Sequence, residues 1–330
     1  MEKISIIGAG AWGTALAQAI AMKGRKVTLW AREDKVIKDI AETRENVDFL
    51  PGIKLHEDIL IESSLIKAAE VSDIIIIMTP AQHVRSTLQA IRGDHMKGKP
   101  VVIGSKGVEI KTGLLMSEVV AQEIPDAVCA IMSGPTFAAE IARAMPSAVT
   151  LACENKDVAE SLSNAIGCRH IRPYITTDMI GVQIGGAFKN ILAVACGIAM
   201  GKELGESARA ALVTRGIAEM SSLTSAMGGK KETLMGMCGF GDIFLTCTSM
   251  QSRNFSLGFE LGKGQSLEDL MKTRKAVTEG VHTAKAAIEI GKKYAVELPI
   301  AEAVYECLHN DISIDVMIEH MLSRPFKREG

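Results

Sequence analysis

Aromatic residues are scarce in this chain: Phe, Trp and Tyr together make up 4% of its 330 residues, so any core must be built from aliphatic side chains. Net charge is also nearly absent. A formal charge of -2 and a pI near 6.4 provide no basic field able to neutralise a phosphate backbone, which excludes nucleic acid as a main partner. The 7 cysteines run from Cys129 to Cys307 with no CxxC pair, which argues against a disulfide framework or a zinc site and favours a reducing, cytoplasmic setting. The 7 histidines show no HExxH spacing, so no metal is expected. The longest apolar run, Ile191 to Met200, falls short of the ~20 residues that a membrane span requires, and no span is expected. Met1 to Lys3 precede the first apolar run directly, leaving no room there for a signal peptide.

Aliphatic material is plentiful by contrast: 47% of residues are hydrophobic and mean hydropathy is +0.18, enough for substantial cores in about two domains. The run Ile4 to Gly8 leads into Gly8, Gly10 and Gly13, and then into Thr14 to Met22. A strand, a glycine turn and a helix in that order form the entrance to a dinucleotide-binding fold. Gly8 permits the tight turn, Gly10 lets backbone NH groups approach a pyrophosphate, and Gly13 lets the helix lie close to the strand. The next strand, Lys26 to Trp30, ends where an acid usually meets the adenosine ribose, ~20 residues past the glycines. Here the chain reads Trp30, Ala31, Arg32. Arginine suits a 2′-phosphate and favours NADP over NAD, although Glu33 and Asp34 lie close enough to replace the absent acid.

Short β-branched runs alternate with helix-like segments up to about Tyr174, near Ile4, Val27, Ile74 to Met78, Val101 to Gly104, Val128 to Met132, Ala148 to Leu151 and His170 to Arg172. This alternation predicts an α/β fold: an N-terminal Rossmann-type, doubly wound and mostly parallel sheet. After Thr177 the pattern turns to long apolar periodicities, over Gly186 to Met200, Ala208 to Met227, Val281 to Tyr294 and Ile300 to His309. These predict an all-α C-terminal domain. The boundary is expected near Asp178 to Gly186, dividing a dinucleotide-binding domain, 1–184, from a helical substrate-binding domain, 185–330.

Ligands of such sheets lie beyond the carboxyl ends of the strands, which draws attention to Thr79-Pro80, Ser105-Lys106-Gly107 and Ser133-Gly134-Pro135-Thr136. Thr79-Pro80 reads as a helix-stopping pair. Lys189 is unusual because Gly185 to Phe188 and Ile191 to Ala195 enclose it in what should be a buried helix. Desolvation, or a second cation such as Lys106, would lower its pKa and suit it to general acid-base work; a lysine snorkelling to water is the alternative. Further on, Asp242, Ser252, Arg253 and Asn254 gather polar groups around apolar Ile243 to Leu245. Arginine's planar fork matches a phosphate, so a small phosphorylated substrate is expected there, against the alternative of a polar loop with Ser252 capping a helix. Glu279 and His282 look like a helix start.

Taken together, GAGAWG, the FLPG of Phe49 to Gly52, GSKG, SGPTFA, GAFKN, GFGDIFLTCTS, QSRN and TEGVHTA closely resemble the bacterial-type NAD(P)-dependent glycerol-3-phosphate dehydrogenases, in order from Gly8 to Ala284. The resemblance implies reversible hydride transfer between C2 of sn-glycerol 3-phosphate and NAD(P), forming dihydroxyacetone phosphate and supplying phospholipid synthesis. It implies Lys189 as proton acceptor, with Lys106 polarising the reacting oxygen and Asp242 orienting a lysine or a substrate hydroxyl. Lys106, Gly134, Thr136, Lys189, Asp242, Ser252, Arg253 and Asn254 would bind substrate. Gly8, Gly10, Ala11, Trp12, Gly13, Arg32, Lys106, Ala138, Arg253, Val277 and Glu279 would contact the cofactor. A homodimer is expected. The chain departs from the family at Ala11, where serine is common, at Phe49, where tyrosine is frequent, and at Thr136, which replaces a frequent serine. Rival readings are another lysine-dependent hydroxyacid dehydrogenase, a ketopantoate-type reductase, and a non-catalytic NAD(P) sensor.

Overall fold

The structure, a computed structural model, describes residues 2–273, 279–310 and 312–325. Its backbone contacts divide the chain into two compact units, Met1–Gly186 with Glu232–Asp242, and Ala187–Lys231 with Ile243–Gly330. The division is discontinuous in sequence, because the segment carrying Asp242 returns to the first unit.

The first unit is an eight-stranded sheet in the order β3-β2-β1-β4-β5-β6-β7-β8. Its strands are β1 (Ile4–Ile7), β2 (Val27–Trp30), β3 (Ile59–Glu62), β4 (Ile74–Ile77), β5 (Pro100–Ile103), β6 (Val128–Ser133), β7 (Ser147–Ala152) and β8 (Ile171–Thr176). All pairings are parallel except β6 with β7. β3 is absent from the strands expected above, and β8 runs further than His170 to Arg172. Between the strands lie α1 (Ala11–Ala21), α2 (Asp34–Thr43), α3 (Leu65–Glu70), α4 (Ala81–Ile91), α5 (Met116–Glu123), α6 (Ala138–Ala142) and α7 (Lys156–Ile166), and α8 (Met179–Gly201) follows. Thr79-Pro80 opens a helix rather than stopping one: Pro80 is the N-cap of α4, a place where its missing NH costs nothing.

The central strand β4 reads Ile-Ile-Ile-Ile and is wholly buried. Ile74 and Ile76 join one core with α1, α2, α6 and α7, while Ile75 and Ile77 join another with α3, α4 and α5. Helices on both faces explain the continuous apolar run, since a parallel strand has no wet face to alternate toward. In β1 the polar Ser5 is tolerated because its hydroxyl donates to the Ala68 carbonyl at 2.6 Å.

In the second unit the described elements are helical: the rest of α8, then α9 (Glu206–Ala226), α10 (Asp242–Cys247, which starts in the first unit), α11 (Arg253–Gly262), α12 (Leu267–Thr273), α13 (Glu279–Tyr294), α14 (Pro299–His309) and α15 (Ile314–Leu322). α8 and α11 meet backbone to backbone. A Cβ on Gly197 would lie 2.1 Å from the Phe255 carbonyl oxygen, and one on Gly258 would lie 2.1 Å from that of Val194. α8 is longer than the apolar run suggested; it is long and apolar enough to cross a membrane by length and composition, and 89% of its most apolar window is buried.

Glu219 of α9 fastens α14 by accepting the Ile300 backbone NH on both carboxylate oxygens, at 3.0 and 3.2 Å. Burial raises its pKa to about 7, and the backbone donors and Arg215 only partly oppose that rise. A carboxyl whose folded pKa exceeds its unfolded one stabilises the fold fully at low pH, and this contribution is lost as pH climbs from about 4.5 to about 7. Glu219→Gln keeps an acceptor without the charge, so its melting temperature relative to wild type should rise by a few degrees between pH 5 and pH 8. Thermal denaturation at the two pH values checks this, and a pH-independent difference would count against the assignment.

Candidate active site

The glycine turn of the first unit is shaped as a cradle. Gly8 has φ +119°, and a Cβ there would lie 2.8 Å from the Met78 carbonyl carbon, while a Cβ on Gly13 would lie 2.0 Å from the Gly8 oxygen. Nothing lies within 4 Å of the Cβ position of Gly10, so that space is open to a ligand. Gly10 is also the N-cap of α1 and offers no side-chain oxygen, so the helix N-terminus is uncapped by it and suits a pyrophosphate. These features fit a dinucleotide. The sequence reading missed Asn46, which is fully buried and braces the turn from outside. Its amide donates to the Ala9 carbonyl and to Thr14 Oγ1, both at 2.8 Å. A lone asparagine in a charged stretch, 32 residues beyond Thr14, carries no spacing signal.

At the strand ends, Trp12 Nε1 donates to Thr136 Oγ1 at 2.6 Å, joining one expected cofactor contact to one expected substrate contact. Ala138 is the first residue of α6. Arg32 follows β2 and is exposed, with its guanidinium on Glu33.

Lys106, in the loop after β5, donates to the Gly134 carbonyl at 2.9 Å and to Asp242 Oδ2 at 2.7 Å. Two of the three ammonium protons are thereby directed, and the third remains for a ligand oxygen. Asp242 is 1% exposed, so the pair is a charge-assisted bond whose acid is buried. A π-helical turn, Met237–Gly241, delivers that acid; the Cys238 NH donates to Thr150 Oγ1 at 3.2 Å, and a Cβ on Gly185 would strike the Cys238 carbonyl oxygen at 2.5 Å. The stretch around Asp242, a polar loop in the alternative reading, is mostly helical, while Ser252 does cap a helix as that reading has it. Beside Lys106 the buried hydroxyl of Ser133 has no hydrogen-bond partner in the structure. It lines a cavity of about 10 Å³ with Ser105, Lys106, Gln183 and Gly186, near the size of one water molecule.

The second unit holds the other lysine. Lys189 lies on α8, is 7% exposed and donates to Thr246 Oγ1 of α10 at 2.9 Å, so it does not snorkel to water. Its neighbour Asn190, which sequence reasoning did not select, accepts from Asn254 Nδ2 at 2.9 Å, and Asn254 Oδ1 accepts the Gly280 NH at 2.9 Å. The Asn254 side chain thus ties α8, α11 and α13 together and keeps one amide proton for a ligand. Ser252 is the N-cap of α11, its Oγ accepting the Phe255 NH at 3.2 Å. Arg253 is the first residue of that helix; desolvation lowers its pKa, and the Glu279 carboxylate at the start of α13 acts in the opposite sense. The structure therefore groups Ser252, Arg253 and Asn254 at the head of α11, while Asp242 sits with Lys106 in the first unit. Val277 lies outside the described residues.

The family description "NAD-dependent glycerol-3-phosphate dehydrogenase N-terminus" matches residues 3–159, and the corresponding C-terminal description matches residues 178–319. The chain is 52% identical to the glycerol-3-phosphate dehydrogenase [NAD(P)+] of Parvibaculum lavamentivorans over 99% of its own length and 98% of that protein's. It is 48% identical to the protein so named in Rhodospirillum rubrum, over 100% of its length and 95% of the relative's. The crystal structure of glycerol-3-phosphate dehydrogenase from Coxiella burnetii superposes with a TM-score of 0.93 at 36% identity, covering 98% of this chain and 99% of that one. Both halves of the chain match one family, and the chain belongs to it: the NAD-dependent glycerol-3-phosphate dehydrogenase family.

Proposed function

We propose that this chain interconverts sn-glycerol 3-phosphate and dihydroxyacetone phosphate with NAD(P), and that Lys189 is the acid-base group. The observation that carries this reading is a buried amine held by Thr246 on the helix whose next residue, Asn190, is tied to the head of α11. A bound nicotinamide would supply the acceptor for the C2 hydrogen as hydride. In that oxidative direction Lys189 Nζ, uncharged, takes the C2 hydroxyl proton as the carbon-oxygen double bond forms; in reduction it returns the proton. Lys106, with its charge anchored by Asp242, directs its remaining proton at the reacting oxygen and stabilises the negative charge that develops there. Arg253, with Ser252 and the start of α11, holds the phosphate carried by the neighbouring carbon, outside the bonds that change, so its binding energy fixes orientation.

The first unit supplies a coenzyme site through Gly8, Gly10, Gly13, Trp12, Arg32 and Ala138. NADP is the favoured coenzyme because Arg32 ends the loop after β2. A cytoplasmic homodimer feeding phospholipid synthesis is the physiological setting in keeping with this chemistry. Oxidation of NADPH or NADH, followed by absorbance, should depend on dihydroxyacetone phosphate and be at least ~10²-fold less efficient with unphosphorylated dihydroxyacetone, which lacks the group that Arg253 would bind. Equal efficiency with both ketones would overturn the phosphate site and favour a rival hydroxyacid or ketopantoate-type chemistry. Coenzyme binding without turnover of either ketone would point to a sensor.

A further inference from the structure

Ser133 ends β6 in the first unit and is buried, and no group among the described residues makes a hydrogen bond with its hydroxyl. A hydroxyl buried in that way forfeits the bonds it made in water, and native interiors seldom leave such a loss uncompensated. The side chains around it are committed elsewhere. Ser105 Oγ donates to the Thr79 carbonyl, Lys106 Nζ to the Gly134 carbonyl and Asp242, and the Gln183 amide is engaged at both ends by Ser117 and the Met179 carbonyl. What these residues share is the cavity of about 10 Å³, about the least that holds one water. Gly186 of α8 keeps that space open, since a Cβ there would lie 2.7 Å from Ser133 Oγ and 3.5 Å from Lys106 Cγ. The loop Ser105-Lys106-Gly107 also lines it, and among the described residues none of these three amides takes part in a backbone hydrogen bond. The loop therefore has donors to offer a water.

We infer that this cavity binds one internal water, shared between Ser133 Oγ and the loop after β5, and that through it Ser133 is a positioning residue for Lys106. The serine oxygen is closed off from the surface, so it acts through the water and not on a ligand. At its far end the Lys106 side chain is directed by Gly134 and Asp242; the water supports the near end, the backbone from which that side chain springs. Two anchored ends leave the ammonium one orientation, as a charge set in advance for a developing negative oxygen requires. Without the water the loop settles toward the cavity, and the third ammonium proton loses its aim.

The inference rests on the reading of Lys106 as the group that polarises the reacting oxygen, and its test separates the two. A high-resolution crystal structure of the protein should show one ordered water within hydrogen-bonding distance of Ser133 Oγ, and that water should be lost or disordered in Ser133→Ala. Ser133→Ala should lower kcat for dihydroxyacetone phosphate about three- to ten-fold, the worth of one neutral hydrogen bond, with coenzyme affinity and melting temperature close to wild type. Gly186→Ala fills the cavity from the side of α8 and should reproduce that loss by a second route. In a Lys106→Met background, where kcat is already lower by about 10²-fold or more, adding Ser133→Ala should cost nothing further, because groups that act as one unit do not add. A serine with a merely structural role would cost as much in both backgrounds. A dry cavity in the wild-type structure, wild-type kcat in Ser133→Ala, or an equal loss with and without Lys106 would overturn the inference. Lys106→Met turning over at the wild-type rate would instead overturn the reading on which it rests.

Discussion

Lys189→Ala should lower kcat by about 10²- to 10⁴-fold while leaving NADPH affinity nearly unchanged, the range expected when one positioned proton-transfer group is removed. The effect should fall on kcat because the amine is needed while the C2 oxygen gains or loses its proton. Lys189 lies on α8 in the second unit, whereas the glycine cradle lies in the first, so the cradle keeps its own geometry in the variant. Removing the amine also takes a donor from Thr246, a residue 5% exposed, and this costs some stability. Lys189→Met, which fills the same space without the amine, separates that cost from the loss of chemistry. Steady-state rates together with a coenzyme titration decide the matter. Turnover within a few fold of wild type in a folded variant would remove Lys189 from the mechanism.

Arg253→Ala should raise KM for dihydroxyacetone phosphate by about 10²- to 10³-fold, the equivalent of two charge-assisted hydrogen bonds to a phosphate. Arg253→Lys should recover only part of the loss, since an ammonium provides one point of attachment where a guanidinium provides a planar fork. The loss should also appear in binding of inorganic phosphate or glycerol 3-phosphate to the coenzyme-loaded protein. The family resemblance implies a coenzyme contact for Arg253 too, and its electrostatic partner Glu279 begins α13. Measuring KM for ketone and coenzyme separately divides the two roles. An unchanged ketone KM would show that the substrate phosphate is held elsewhere.

Much of the first unit was legible because its signals are local. The glycine turn, β1 and α1 are contiguous, and four isoleucines in a row could only be a strand covered on both sides. β3 escaped because Ile59–Glu62 is four residues long, half-exposed and flanked by acids, so neither alternation nor a buried run marks it. The candidate site could be proposed from residue types, but its partnerships could not be read. Asp242 stood in the sequence beside the head of α11, yet the fold pairs it with Lys106, 136 residues away. Asn46, Asn190 and Ser133 act through buried hydrogen bonds or through a missing one, and such roles leave no periodicity to read. The two lysines could be named in advance because charge in an apolar or glycine-rich setting is itself a local anomaly.

The contact between α8 and α11 bears on how this catalyst can be altered. Where main chain touches main chain there is no side chain left to shorten, and any enlargement of Gly197 or Gly258 must push whole helices apart. The spacing between Lys189 and Arg253, the proposed proton acceptor and phosphate holder, behaves like a ruler cut from a rigid material. Substrates with a longer or shorter reach between alcohol and phosphate would therefore have to be accommodated by moving loops, because the ruler itself has no adjustable mark.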